Sequence, residues 1–252
     1  MEILSRPRKG GGLILSSLLE PISLIIVLMV ILTAIGQDAA FGGSIFTFLV
    51  TGFIPIFVAM RVALRVMGID RGRHKRMRLP SAKFGDYVIA ITALETLLYL
   101  SVAVSILIGC YLIGYEDIFP EHPLYILLSL VLLALLGMGV GVTNIVIIRI
   151  LPIWQLLYPP GQRLLLFMSG LFYVVDYVHV SVRELVVFNP ISHGIIMFRD
   201  GYYGNYPDVS LSVEYLFMFG FSALFLGSLL ERFTRKFARD KASLDDFSTD
   251  AV

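Results

Sequence analysis

Apolar runs of about twenty residues or more alternate with short polar segments along this 252-residue chain. Six of them are long enough to be read as membrane spans, near residues 13–35, 45–64, 86–114, 124–148, 155–177 and 212–231. The third is long enough to tilt or to run past the bilayer. The fifth carries Pro159-Pro160 near its start, and a proline pair opens a helix more readily than it sits inside one. Glu20-Pro21 interrupts the first run and reads as the place where an interfacial helix turns into the first span. Arg6, Arg8 and Lys9 ahead of it resemble the basic end of a signal peptide. The run from Leu13 to Ile35 exceeds a signal's apolar core, however, so an uncleaved first span is expected.

One segment fits neither pattern. Residues 178–211 are too apolar for a solvated loop and too broken for two full spans. The stretch FNPISHGIIMFRDGYYG, Phe188 to Gly204, packs Asn189, Pro190, His193, Arg199 and Asp200 between apolar neighbours. A re-entrant or interfacial pair of short helices is expected, with Asn189-Pro190 as the turn. Such backbone is tolerated at membrane depth when protein surrounds it.

Composition supports this reading. The chain is 57% hydrophobic and only 15% charged, where a soluble surface calls for about a quarter charged residues. The expected fold is an all-α polytopic membrane protein, a single transmembrane domain over residues 1–252. The lone cysteine, Cys110, excludes an internal disulfide and any CxxC site. The net charge of +1 argues neither for nor against a polyanionic partner.

The placement of charge is more telling than its sum. Of twenty Lys and Arg, eighteen fall on one set of alternate connections: the N-terminus, the 61–83 region, the junction of spans four and five, and the C-terminus. The other set holds two, Arg183 and Arg199. The positive-inside rule then puts both termini in the cytoplasm and residues 178–211 outside.

No GxxxxGK[ST], HExxH, CxxC or GxSxG occurs, so there is no enzyme signature and any ATP must be hydrolysed by another chain. The glycines of GMGVGV (Gly137 to Val142) lie inside span four. They read as a small-residue packing face rather than a phosphate cradle.

Several residues remain as candidates, each with a plainer alternative. Glu95 lies well inside span three; it is either a transport carboxylate or the structural partner of a basic group. His193 is a ligand or proton carrier, or a side chain bonded to nearby backbone. Arg199 with Asp200 binds an anion or forms an ion pair at a helix end. The aromatics Phe167, Phe172, Tyr173, Tyr177, Phe188, Phe198, Tyr202, Tyr203 and Tyr206 mark a bilayer interface, or offer faces on which sugar rings slide. The basic stretch RVALRVMGIDRGRHKRMRLP is suited to acidic lipid or to docking a cytoplasmic partner, and nucleic acid is not expected.

These residues in this order resemble a known family. LLEP (Leu18 to Pro21), FLVTGFIPIF (Phe48 to Phe57), ALETLLY (Ala93 to Tyr99), FMSGLFY (Phe167 to Tyr173) and Asn189-Pro190 with His193 and Arg199 are similar to the membrane subunits of ABC-2 type exporters. The likeness is to the permeases that export capsular polysaccharide and to their O-antigen relatives. The family's Arg-rich amphipathic segment ahead of LLEP is reduced here to RPRKGGG.

The resemblance implies a bacterial inner-membrane permease that pairs as a homodimer around a channel. Two copies of a separate ATPase, carrying ATP and Mg, would sit beneath it; this chain would hold no cofactor or metal of its own. The 65–85 loop would supply a coupling helix, with Arg71, Arg73, His74, Lys75 and Arg76 meeting the ATPase. Glu95, Phe167, Ser169, Phe172, Tyr173, Tyr177, Asn189, Pro190, His193 and Arg199 would line or gate the path. The substrate would be a lipid-linked acidic polysaccharide, handed to periplasmic and outer-membrane export partners. The competing readings are an ABC-2 exporter of drugs or small lipids, an ion-coupled secondary transporter, and an assembly protein with no transport. A secondary transporter predicts internal inverted repeats, and LETLLYL in span three has no counterpart in spans five or six.

Overall fold

The computed structural model describes residues 10–69, 83–112 and 119–249. The coupling residues Arg71, Arg73, His74, Lys75 and Arg76, and the basic Arg6, Arg8 and Lys9, lie outside them. Among the described residues every regular element is a helix. In chain order these are α1 (Gly10–Ala34), α2 (Ile45–Met67), α3 (Phe84–Leu112), α4 (Pro123–Ile150), α5 (Trp154–Phe167), a 3-10 turn (Val175–Tyr177), α6 (Val180–Val187), α7 (Pro190–Tyr203) and α8 (Val213–Thr249).

Four of these, over Ile45–Met67, Phe84–Gly109, Pro123–Ile150 and Val213–Arg235, are long and apolar enough to cross a bilayer. α1 adds the apolar stretch Ile22–Ala34 and passes through Glu20-Pro21 without a break.

α2 is the hub. From Phe48 to Met60 it is apolar almost all round, as a helix surrounded by protein should be, and it packs against α1, α3, α4 and α7. Phe48 through Met60 along it are buried. α4 is the second hub, pressed between α2 and α8. The glycines of GMGVGV make that closeness achievable. A Cβ at Gly137 would stand 2.5 Å from the Ala59 carbonyl oxygen, and one at Gly141 would stand 2.9 Å from that of Ala63, both on α2. A Cβ at Gly139 would stand 2.6 Å from the Leu224 nitrogen on α8. Alternate glycines thus serve opposite faces of one helix, and the packing reading of this stretch holds.

Outer faces of α1, α3, α5 and α8 expose large apolar side chains, among them Val30, Leu97, Leu156 and Phe225. In a helix that crosses a bilayer such a face meets lipid tails or another subunit.

The fifth predicted span differs. The sequence suggests one helix over 155–177, but α5 has 14 residues, about 21 Å long. Its prolines also fall inside it rather than at its start. The helix begins ahead of the pair because Leu151–Ile153 form a turn that feeds it, with Trp154 N donating to Leu151 O at 3.0 Å and Leu156 N to Ile153 O at 2.9 Å. It ends where Ser169-Gly170 turns the chain: Gly170 has φ +78°, which only glycine adopts at low cost.

α7 is short and nearly all buried. Asn189 caps it, its side-chain oxygen accepting from Ile191 N at 3.1 Å, with Pro190 in the first turn and Gly204 in the left-handed conformation at the end. These are the start and stop residues such a helix favours. It runs along α4. His122 N donates to Gly201 O at 2.8 Å, Ser129 Oγ to Gly194 O at 2.7 Å, and the Asn189-Pro190 turn shares a groove with Leu136 and Gly137. The turn therefore sits halfway along α4.

Candidate functional site

Three of the sequence candidates meet where α5 ends and α7 begins. α5 leaves its last carbonyls without helical partners. The side chain of Asn189 satisfies one of these groups, Nδ2 donating to Met168 O at 3.1 Å, and Ser192 Oγ reaches the same oxygen at 3.3 Å. Ser169 Oγ turns back to Leu166 O at 2.7 Å. The residues that start one helix therefore end another.

Two further carbonyls of this turn go to Arg199. Its guanidinium donates to Gly170 O at 2.7 Å and Leu171 O at 2.8 Å. It also donates to Phe48 O at 3.2 Å, in the first turn of α2, and to Tyr206 Oη at 3.2 Å. Its carbon lies 3.8 Å from the centroid of the Phe48 ring, a cation–π distance. Arg199 is wholly buried. Hydrogen bonds to a charged group contribute about 1.5–3 kcal/mol each, which offsets the cost of burying the cation. Burial raises the Tyr206 phenol above its ordinary pKa, while the adjacent Arg199 pulls it down. The ion pair expected of Arg199 and Asp200 is not made: among the described residues the two form none within 4 Å, and the guanidinium points into protein.

His193 is likewise spent on backbone. Its Nδ1 accepts from Ser212 N at 3.0 Å, so Nε2 carries the proton and donates to Val187 O at 2.9 Å. It ties the junction of α6 and α7 to the start of α8.

The aromatic candidates at the end of the fifth predicted span form a partly exposed cluster beside the turn. Phe167 and Phe172 stack at 5.7 Å, Phe172 meets Phe53 edge-on at 6.4 Å, and Tyr173 Oη donates to Phe167 O at 3.1 Å. Tyr177 stands apart and exposed. Below the turn lies an apolar groove of about 300 Å³ between α5–α6 and the hub helices, lined in part by Ala59, Val140, Leu165, Phe188 and Phe219. Gln162 closes one side, its Nε2 donating to Met60 O at 3.1 Å.

Glu95 lies elsewhere, on α3. Its carboxylate meets Arg65 Nε at 3.0 Å while its own side chain is buried, so the structural partner it was expected to need is present. Glu95→Gln should lower the thermal midpoint of the purified protein modestly. Arg65 is half exposed, so the loss should be about 1 kcal/mol. Calorimetry or a fluorescence melt in detergent checks it, and an unchanged midpoint would reduce the pair to a surface contact.

Sequence reasoning missed the roles of several of the residues that hold the site. Tyr206, Phe48 and Gln162 carry no local signal of their roles. Glu231, at the end of the sixth predicted span, is buried and accepts from Arg149 at 3.2 Å and Arg235 at 2.9 Å. Its spacing to Arg235, one helical turn, is the signal that was available.

Comparison with known proteins follows the same stretch of chain. The profile of a family described as ABC-2 type transporter matches residues 2–203, ending with α7. A polysialic acid transport protein of Escherichia coli is 27% identical over 217 residues, covering 86% of this chain and 83% of that protein. A capsule polysaccharide export inner-membrane protein of Neisseria meningitidis is 21% identical over 235 residues, 93% of this chain and 88% of its own. One of the same description from Haemophilus influenzae is 22% identical over 235 residues, 91% and 86% of the two chains.

Proposed function

The chain belongs to the ABC-2 type transporter family, and from that premise we propose that it is the membrane-spanning permease of an ATP-driven exporter of capsular polysaccharide. The observation that carries the reading is the α5–α7 unit. A broken fifth helix and a buried return helix lie within the region the family profile matches, and the relatives over most of the chain are named for polysialic acid or capsule export.

In this reading the protein crosses the inner membrane six times with both termini in the cytoplasm. The fifth crossing is made of α5 and the residues that follow it. Two copies form the channel, and two copies of an ATPase subunit dock beneath on the basic loop between α2 and α3. ATP binding closes the ATPase pair and rocks the two bundles, a rigid-body change that carries local binding energy to a distant gate. The lipid-linked polymer passes between the copies, and the α5–α7 unit gates the outer side. The fixed cap at Met168, Asn189 and Ser192 lets that unit move as one piece.

Deleting the gene tests this. Antibody to the acidic polysaccharide is applied to intact and to lysed cells. The expected result is polymer inside and none at the surface, restored by the wild-type gene. Unchanged surface polymer would overturn the reading and leave export of a drug or small lipid as the family activity to examine.

A further inference from the structure

We propose that Arg199 is the positioning residue of the outer gate: its guanidinium latches the Gly170–Leu171 turn to the first turn of α2 and to Tyr206. The proposal rests on the exporter reading above.

The latch joins segments far apart in sequence. Phe48 lies 151 positions from Arg199, Gly170 29 and Leu171 28. Each is held through a backbone oxygen. Gly170 and Leu171 lie outside any helix, so the guanidinium supplies what helical geometry does not. Its Nε has no partner among the described residues. The usual partner of a buried arginine is a carboxylate, and here the described ion pairs include none to Arg199. That choice matters for a moving part. Opening the latch strands no buried anion, and released carbonyls can take water or the hydroxyls of a passing glycan.

The surroundings are cut to admit the guanidinium. A Cβ on Gly52 would stand 2.7 Å from Nη2 of Arg199 and 2.6 Å from Leu171 Cδ1. Gly52 is therefore the position on α2 that lets the arginine reach Phe48 O. The turn it holds bears Phe172 and Tyr173, beside the exposed Phe167. Arg199 sets the position of these aromatic faces without touching substrate itself.

The test uses the full transporter with its ATPase, in permeabilised cells so that both membrane faces are reached. Leu171 is buried; Leu171→Cys is placed in a Cys110→Ser background and its labelling by a maleimide is timed. With Arg199 intact the thiol should label slowly. Arg199→Met should speed labelling by about tenfold or more per molecule in the membrane, because the turn opens without ATP. Arg199→Lys and Tyr206→Phe, which keep part of the latch, should fall between. Gly52→Ala, which crowds the guanidinium, should also speed it.

An Arg199→Met protein that labels at the parent's rate, at equal abundance, overturns the proposal. If that variant fails to reach the membrane, Tyr206→Phe and Gly52→Ala decide, and parental rates in both overturn it. The labelling reports the turn whatever is transported. A failure of the latch is thus separable from a failure of the polysaccharide assignment.

Discussion

Reversing Arg71, Arg73, Lys75 and Arg76 to glutamate is expected to abolish recovery of the ATPase with this subunit. The end of α2 and the loop after it carry eight Lys and Arg between Arg61 and Lys83, and each reversal shifts the local charge by two units. Truncating one partner of a buried charge pair at an interface costs about 2–5 kcal/mol. Four reversals together should therefore weaken docking by about 100-fold or more. The described residues on either side add a reason for the loop to transmit force as well as bind. At its entry Arg65 is paired with Glu95 on α3. At its exit Asp86 accepts from Lys83 N at 2.8 Å, and Arg235 of α8 lies 4.9 Å over the Phe84 ring. A push on the loop meets two anchored ends. Because charge also sets topology, the four-fold glutamine variant is measured beside it: its abundance and insertion should be normal and its ATPase recovery reduced. Normal co-purification of both variants would remove the loop from the docking site.

Gly139→Leu is expected to leave almost no folded protein, and Gly139→Ala to cost about 3 kcal/mol, the upper end of overpacking. The methyl group of the alanine would meet Leu224 N at 2.6 Å and Gly220 O at 2.7 Å. Both are backbone, which no rotamer change can move aside. On the opposite face Gly137 and Gly141 hold α4 against α2, so α4 has no free direction in which to retreat. The matched control is Gly109→Ala on α3, where a Cβ meets nothing within 4 Å. There the better helix propensity of alanine should leave stability equal or slightly raised. Melting of both in detergent, followed by fluorescence-detected gel filtration, reads the difference. Equal midpoints for Gly139→Ala and wild type would mean that α4 and α8 are not packed this closely.

The contrast between these glycines shows what the sequence discloses and what it hides. GMGVGV is legible because small residues at close spacing inside an apolar run have few other uses. α7 is legible for a similar reason: Asn189-Pro190 and Gly204 are local start and stop signals. The end of α5 is not. Leu164 to Val175 stays largely apolar, and hydropathy has no term for a turn closed by an arginine 28 and 29 positions downstream. Arg199 was singled out, but its neighbour Asp200 suggested a pair that tertiary packing does not make. Its real partners are carbonyl oxygens, which carry no residue identity and so leave no trace in composition or spacing. Glu95 was legible as a residue in need of a cation, although the sequence did not say which one.

The length of α8 has a mechanical consequence. Its 37 residues make a rod of about 55 Å, against roughly 30 Å of bilayer hydrocarbon. For a rod that long, one degree of rotation about one end displaces the other by about 1 Å. α8 is seated on α4 through Gly139, Gly220 and Gly227, so it cannot bend away from the hub without prising backbones apart. A small change of angle in the core is thus amplified at its far end, in the way a needle magnifies the turn of its pivot.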